Sequence, residues 1–375
     1  MKKLLLGSTA LVGLLIAGTA SAQQVTTKAP FTITLNGDIR YTAVYTNDDN
    51  TNDGVENGFD ARVGLTAAAK AENGLEYGAY MRFRNSGADA TYSDVKYIYL
   101  KGASWGELRL GDQYGVNGLV TAPTASFVLG DVYTLGSNSM IAYGGAASGI
   151  SAGLPQQFYF PSWMGLDYET GIQYTTPVFA GFQGSIFYAP EYEWGRNVTR
   201  GLNSNVSASS YAPYEDLVQL AVRYKNTFSG VGLDLSAGYA WADTTIANFG
   251  DYEIWHLGGT VSYAGFTFGG HYQDLGETFM GRSNGGHTDT TTWALGATYG
   301  VGPWLVGVTY AAANYDRPGT GVKDLDQSIW EVGGSYMLAP GLTLQGSVLW
   351  YDMDNANAGA GNQGTTVALR TRVQF

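Results

Sequence analysis

The sequence predicts an all-β protein, a transmembrane antiparallel up-and-down β-barrel of sixteen strands. Three observations carry that expectation. Apolar and polar side chains alternate with a period of two through almost the whole chain after its first segment, and helical periodicity is nearly absent. The alternating segments mostly run about ten to thirteen residues, the length a tilted strand needs to cross a bilayer. Their connections are short and long in turn, as when hairpins at one rim are tight and those at the other are extended.

The start, "MKKLLLGSTALVGLLIAGTASA", has two lysines, an apolar run from Leu4 to Ala17 and small residues at Ala20 and Ala22. That is the pattern of a cleaved secretory signal, so residues 1–22 are expected to be removed and 23–375 to form the barrel, beginning at Gln23. The apolar run is shorter than the roughly 20 residues of a spanning helix. Charged residues are 14% of the chain, with 53 glycines and 27 tyrosines, a composition far from a soluble globule. There is no cysteine, so disulfide and thiol chemistry are excluded. The formal charge of −12 becomes −14 when Lys2 and Lys3 leave, which speaks against nucleic acid as a partner.

The expected strands lie at about 31–45, 58–70, 74–85, 94–102, 105–113, 167–177, 180–190, 215–226, 231–242, 252–264, 266–275, 289–300, 303–315, 328–339, 342–353 and 364–375. In the first, Ile33, Leu35, Ile39, Tyr41, Ala43 and Tyr45 share one face, and Thr34, Asn36, Asp38, Arg40 and Thr42 the other. In the third, Leu75, Tyr77, Ala79, Met81 and Phe83 oppose Glu76, Tyr80, Arg82 and Arg84. The last sets Val367, Leu369, Val373 and Phe375 against Arg370, Arg372 and Gln374. A soluble sandwich would alternate too, but its turns would not sort by length. A sheet in hydrocarbon must close on itself, so the final strand must pair with the first.

Aromatic residues gather near segment ends, as at Tyr263, Tyr299, Tyr310, Tyr336 and Trp350, where two headgroup-level girdles are expected. Tyrosine is also simply a good strand former, and any one of these residues admits that reading.

The stretch "YETGIQYTTPVFAGFQGSIFYAPE" resembles the sixth and seventh strands of the general bacterial porins, in the version found in Gram-negative α-proteobacteria. The matching positions are Ile172, Tyr174, Thr176, Pro177, Phe179 and Gly181. "ARVGLTAAAKAENGLEYGAYMRF" resembles that family's second and third strands, "YLKGASWGELRLGDQYG" its fourth and fifth, and Phe375 its terminal aromatic, a residue tied to barrel assembly. The resemblance implies a homotrimer of barrels, each a general diffusion channel for ions and small hydrophilic solutes, with a long third loop folded inward as an eyelet. Residues 115–165 occupy that position. They depart from the family in having one acid, Asp131, and no lysine or arginine. Asp112 stands where the family often has arginine.

The basic residues expected to line the pore are Arg40, Arg62, Arg82 and Arg84, with Asp131 and Glu76 as acids at the constriction; Asp112, Asp167 and Glu169 also come close to the lumen. The arginines have two roles open to them: filtering ions, or pairing with Asp38, Asp60 and Glu76 in a wet wall. His256 and His271 are expected to face inward on adjacent strands without a third ligand, as polar lining; His287 has no evident partner. "DDNTNDGVENGFD" is a weak match to a calcium loop through Asp49, Thr51, Asp53, Gly54 and Asp60. A solvated acidic hairpin is the favoured reading and no cofactor is expected; loosely held calcium or magnesium, shared with lipopolysaccharide at acidic loop tips, is the alternative. No hydrolase motif accompanies the three histidines, so catalysis is not expected. A sugar- or substrate-selective channel is the alternative, with Phe127, Tyr133, Tyr143, Phe158, Tyr159 and Phe160 as an aromatic slide. Outer-membrane lipid and lipopolysaccharide are the surroundings expected.

Overall fold

The computed structural model describes residues 31–49, 54–86, 92–120, 169–193, 213–245, 250–278, 289–316, 325–355 and 362–375. Its strands are β1 Thr32–Asp48, β2 Gly54–Lys70, β3 Glu76–Ser86, β4 Tyr92–Gly102, β5 Gly106–Gln113, β6 Glu169–Thr175, β7 Phe182–Glu193, β8 Pro213–Phe228, β9 Val231–Thr244, β10 Tyr252–Tyr263, β11 Phe266–Asp274, β12 Asp289–Val301, β13 Trp304–Asp316, β14 Leu325–Ala339, β15 Leu342–Asn355 and β16 Asn362–Gln374. Each pairs antiparallel with its sequence neighbours, and β16 pairs with β1, which closes the barrel. Every expected segment holds one strand.

The alternation separates two surfaces. Ile33, Leu35, Leu65, Ile98, Leu257, Leu295 and Leu369 stand exposed on one, a far larger apolar area than a soluble monomer tolerates. On the opposite faces Arg40, Thr42, Gln219, His256, Thr292 and Arg370 are buried. The greasy face is the outside, the only arrangement in which a bilayer meets hydrocarbon and the polar groups meet one another.

Short turns lie at one rim and long connections at the other. Ala180-Gly181, Ser229-Gly230 and Ala264-Gly265 are tight turns with positive φ at both residues (50 and 89, 50 and 86, 49 and 85). A two-residue turn that follows the strand twist demands this, and it explains glycine at the second place. β6 stops at Thr175, short of the expected residue 177, because Pro177 has no N–H for the ladder. Thr176 fills in: its N–H donates to Gly184 O at 2.9 Å, and its hydroxyl accepts from Gly184 N–H at 2.9 Å.

The β1/β16 seam is fastened by side chains as well as backbone. Asp38 takes a two-bond fork from Arg40 on its own strand (3.0 and 2.7 Å) and another from Arg372 across the seam (2.9 and 2.6 Å). Arg370 donates to Thr42 Oγ1 at 3.1 Å, and Thr46 meets Thr366 at 3.1 Å. Phe375 exchanges backbone bonds with Gly37 (2.8 and 3.2 Å). Its ring lies over that glycine, where an added Cβ would come within 2.3 Å of ring carbon. An aromatic ring covering a strand glycine is a known device for pinning register.

Deleting Phe375 removes both backbone bonds, each worth about 1 kcal/mol net, along with the ring. Heat-resistant, assembled barrel recovered from membranes should fall several-fold on deletion and stay near wild type in Phe375→Tyr, which keeps ring and bonds. Equal recovery of the two variants would contradict this account of the seam.

Candidate functional site

The inward faces of β16 and β1–β5 make a wall of arginines. Strand register brings them together: Asp38 lies opposite Arg62, Arg40 opposite Asp60 and Arg372, and Arg62 opposite Arg84. Arg40 on β1, Arg62 on β2, and Arg82 and Arg84 on β3 all occupy the polar face where alternation places them. Carboxylates are threaded between them. Asp60 holds Arg62 at 2.8 Å and Arg84 at 3.3 Å, and Asp94 takes a fork of 2.8 and 2.8 Å from Arg82. The Asp94 side chain is fully buried and the Asp60 side chain only 6% exposed, so these are strong charge-assisted bonds that fix the guanidinium planes.

Arg109, Arg370 and Arg372 belong to the same wall. The alternation of the last strand was a sufficient signal for Arg370 and Arg372. Among the described residues of these strands, the inward arginines outnumber Asp38, Asp60, Asp94 and Glu107, the carboxylates beside them.

The connection after β5 enters the barrel. Arg82 donates to the Tyr114 hydroxyl at 2.6 Å, Gly115 turns the chain with φ 59, and α1 (Asn117–Val120) follows. α1 packs on β8 and β9: Val116 N–H donates to Gln219 Oε1 at 3.2 Å, and the Ser236 hydroxyl donates to Val120 O at 3.3 Å. Val116 and Val120 are fully buried with Phe187, Leu217, Ala240 and Ile254, an apolar core inside the lumen. Asp131 and the aromatic residues from Phe127 to Phe160 lie outside the described residues, as do Asp167 and His287.

Other expected residues take different places. Glu76 is at the short-turn rim, bonded to Lys70 at 3.1 Å with both side chains exposed, and so pairs with a lysine and not with the arginine wall. Asp112 does not reach the lumen. It shares the outward face of Leu108 and Leu110, where Lys96 and Thr170 bind it. Glu169 lies on the inward alternation of β6.

The calcium-loop reading loses Asp60, which two arginines occupy, and β2 already pairs from Gly54; Thr51 and Asp53 lie outside the described residues. Among the described residues, no group of three or more His, Asp or Glu is placed to hold a metal ion. His256 and His271 are buried on the inner wall with rings stacked 6.0 Å apart.

The outer face carries two aromatic rows. Near the short turns Tyr299 meets Phe266 at 4.4 Å and Tyr336 meets Trp304 at 4.4 Å, with Tyr263 on the same rim. Toward the other rim Tyr310 touches Trp293 and Trp330 at 5.1 and 4.7 Å, and Trp350 pairs with Trp330.

A closed sixteen-strand barrel, apolar outside, charged within and entered by its own third long connection, defines an outer-membrane channel. The sequence profile described as Gram-negative porin matches residues 7–367, and the chain belongs to that family. It is thus a diffusion channel of the outer membrane. Solved structures similar to it include an anion-selective porin from Comamonas acidovorans, at 20% identity and TM-score 0.65, covering 92% of this chain and 100% of that one. OmpT of Vibrio cholerae in a trimer form is similar at 13% identity and TM-score 0.61, covering 92% and 99%. A mutant Rh. blastica porin is similar at 17% identity and TM-score 0.54, covering 92% and 100%. At these identities the likeness speaks to the fold. Among curated proteins none matches the sequence.

Removing two of the bonds that dock the segment carrying α1, by Gln219→Leu with Ser236→Ala, should loosen it by about 2 kcal/mol, at about 1 kcal/mol per bond. Single-channel traces should then show a larger mean conductance and more flicker. Traces identical to wild type would mean that α1 does not limit the current.

Proposed function

We propose that this channel filters ions and small hydrophilic solutes by size where the connection after β5 enters the lumen, and by charge along the wall carrying Arg40, Arg62, Arg82 and Arg84. The observation that carries the reading is Arg82, which pairs with Asp94 and at the same time holds Tyr114, the root of the inward segment. One residue thereby joins the charged wall to the constriction. Passage is passive, and no bond is made or broken.

The sign of selectivity follows from distance. Acids in the long connections give the chain its negative charge, but at physiological salt the screening length is about 8 Å, so they act weakly on an ion deep in the lumen. Wall arginines act at contact. Their surplus over neighbouring carboxylates, with Asp131 as the one acid in residues 115–165, favours weak anion preference. The Comamonas relative, described as anion-selective, is consistent with this choice.

We also propose cleavage after Ala22, a homotrimer, and headgroup-level seating of the two aromatic rows. For the trimer, the contact we favour is the outer face of β1–β6. Leu65, Ala67 and Ala69 are smooth there, and the Lys96–Asp112–Thr170 cluster sets charge on a face that lipid penalises by about 2–4 kcal/mol per cation at mid-depth. A neighbouring barrel would cover it. Acidic loop tips shared with lipopolysaccharide phosphates through divalent cations complete the setting.

Across a potassium chloride gradient the wild-type reversal potential should have the sign of mild anion preference. Arg82→Ala with Arg84→Ala should move it toward cations. Strong native cation selectivity, or an unmoved potential, would remove the filter from this cluster. Light scattering in mild detergent should give the mass of three barrels per particle; a single barrel would refute the trimer.

A further inference from the structure

We propose that the inner wall between the arginines and the short-turn rim carries a saccharide-binding track, formed by Tyr80, Tyr97 and Tyr99 with Arg109 and Glu107 beside them. The proposal rests on the channel reading and gives it a substrate class.

The tyrosines lie on the inward faces of β3 and β4 as a continuous row, with ring centroids 5.5 Å apart for Tyr80 and Tyr97 and 6.5 Å apart for Tyr97 and Tyr99. Two glycines let rings lie down against the wall. A Cβ at Gly64 would stand 2.6 Å from the Tyr80 hydroxyl, and a Cβ at Gly78 would stand 2.9 Å from the Tyr99 ring. With any larger residue below, those rings would be pushed out toward the axis. Their planes are inclined by 39° between Tyr80 and Tyr97 and by 65° between Tyr97 and Tyr99, so the row is stepped, and all three remain partly exposed.

The Arg109 guanidinium lies over the middle ring, 4.8 Å from the Tyr97 ring centre, and is ion-paired with Glu107, with side chains 37% and 20% exposed; Tyr80 and Tyr99 flank it. The site therefore offers a stepped series of inclined aromatic rings with a donor fork and a carboxylate acceptor next to each other. Few solutes match all three. A pyranose does: its C–H face stacks on aromatic rings, and its vicinal hydroxyls both donate and accept. An aromatic carboxylate would use the rings and Arg109 but would meet the negative charge of Glu107. A simple inorganic anion would have no use for the rings.

The test is single-channel recording of the full-length protein in planar bilayers, with maltotriose as probe, benzoate as comparator and a polyethylene glycol of similar size as control. Maltotriose should produce concentration-dependent interruptions of the current that the polymer does not. Tyr97→Ala with Tyr99→Ala should shorten them about tenfold, the loss of stacking contacts of roughly 0.5–1.5 kcal/mol each. Should that variant fail to assemble, Glu107→Gln with Arg109→Gln keeps every ring, removes the charged pair and should also shorten the interruptions. A conducting wild-type pore blind to maltotriose, or equal interruption times in wild type and whichever variant assembles, would overturn the track, leaving the tyrosines as covers for wall glycines. Interruption by benzoate and not by maltotriose would assign the platform to aromatic carboxylates and overturn the saccharide reading. Failure to form any conducting pore would instead overturn the channel reading itself.

Discussion

Everything in this molecule depends on one requirement: in hydrocarbon, no strand can leave its backbone unpaired. The sheet must therefore close, and closure joins residues at opposite ends of the chain. The β1/β16 seam is where the molecule meets that demand. Its ladder runs from Asp38 with Gln374 to Asp48 with Gly364, and Phe375 extends it by pairing with Gly37. Asp38 adds a side-chain clamp by accepting two arginine forks, one from each side of the seam. A lone buried arginine would be costly, so the clamp works in both directions: the carboxylate holds the strands, and the arginines are tolerated because the carboxylate is there.

Closure also builds the functional wall. Arg370 and Arg372 belong to the last strand and Arg40 to the first, so they are neighbours only because the sheet is a cylinder. Asp38 and Asp60 each serve two arginines. The guanidinium groups are thereby fixed in place, in positions that do not depend on flexible side chains. A lining of lysines would be looser, since an ammonium lacks the planar fork that locks onto a carboxylate.

The strands, their faces and the meeting of last with first were legible because period-two alternation is a direct record of what each face touches. Arg40, Arg62, Arg82 and Arg84 were legible for the same reason. Their partners were not. Asp94 reaches Arg82 because the β3/β4 register shifts between Arg82 and Phe83, an irregularity that alternation cannot reveal. Glu76 looked like a partner by face alone, but it sits at the wrong height and finds Lys70. Asp112 was placed by analogy with a basic position in the family, whereas its own alternation with Leu108 and Leu110 pointed outward. The calcium-like spacing from Asp49 misassigned Asp60 because spacing counts residues along a chain, and here β2 pairing begins at Gly54, inside the motif. The ring-over-glycine contacts of Tyr80, Tyr99 and Phe375 need cross-strand neighbours, which no single strand discloses.

The inward segment links size and charge, which are often treated as separate properties of a pore. Its root is held to the arginine wall through Tyr114 and Arg82, and α1 is held to the β8–β9 wall through Gln219 and Ser236. A change in either attachment moves the same piece of chain. Arg82 and Arg84 therefore differ in kind, although both line the wall and both are paired. Arg84 shares Asp60 with Arg62 and contributes charge beside a partner that stays satisfied without it. Arg82 contributes charge, occupies the buried Asp94 and bonds Tyr114, so its loss would take the guanidinium fork from a buried carboxylate and remove one tie on Tyr114 together. On the proposed filter, selectivity for sign and selectivity for size would meet at that one guanidinium.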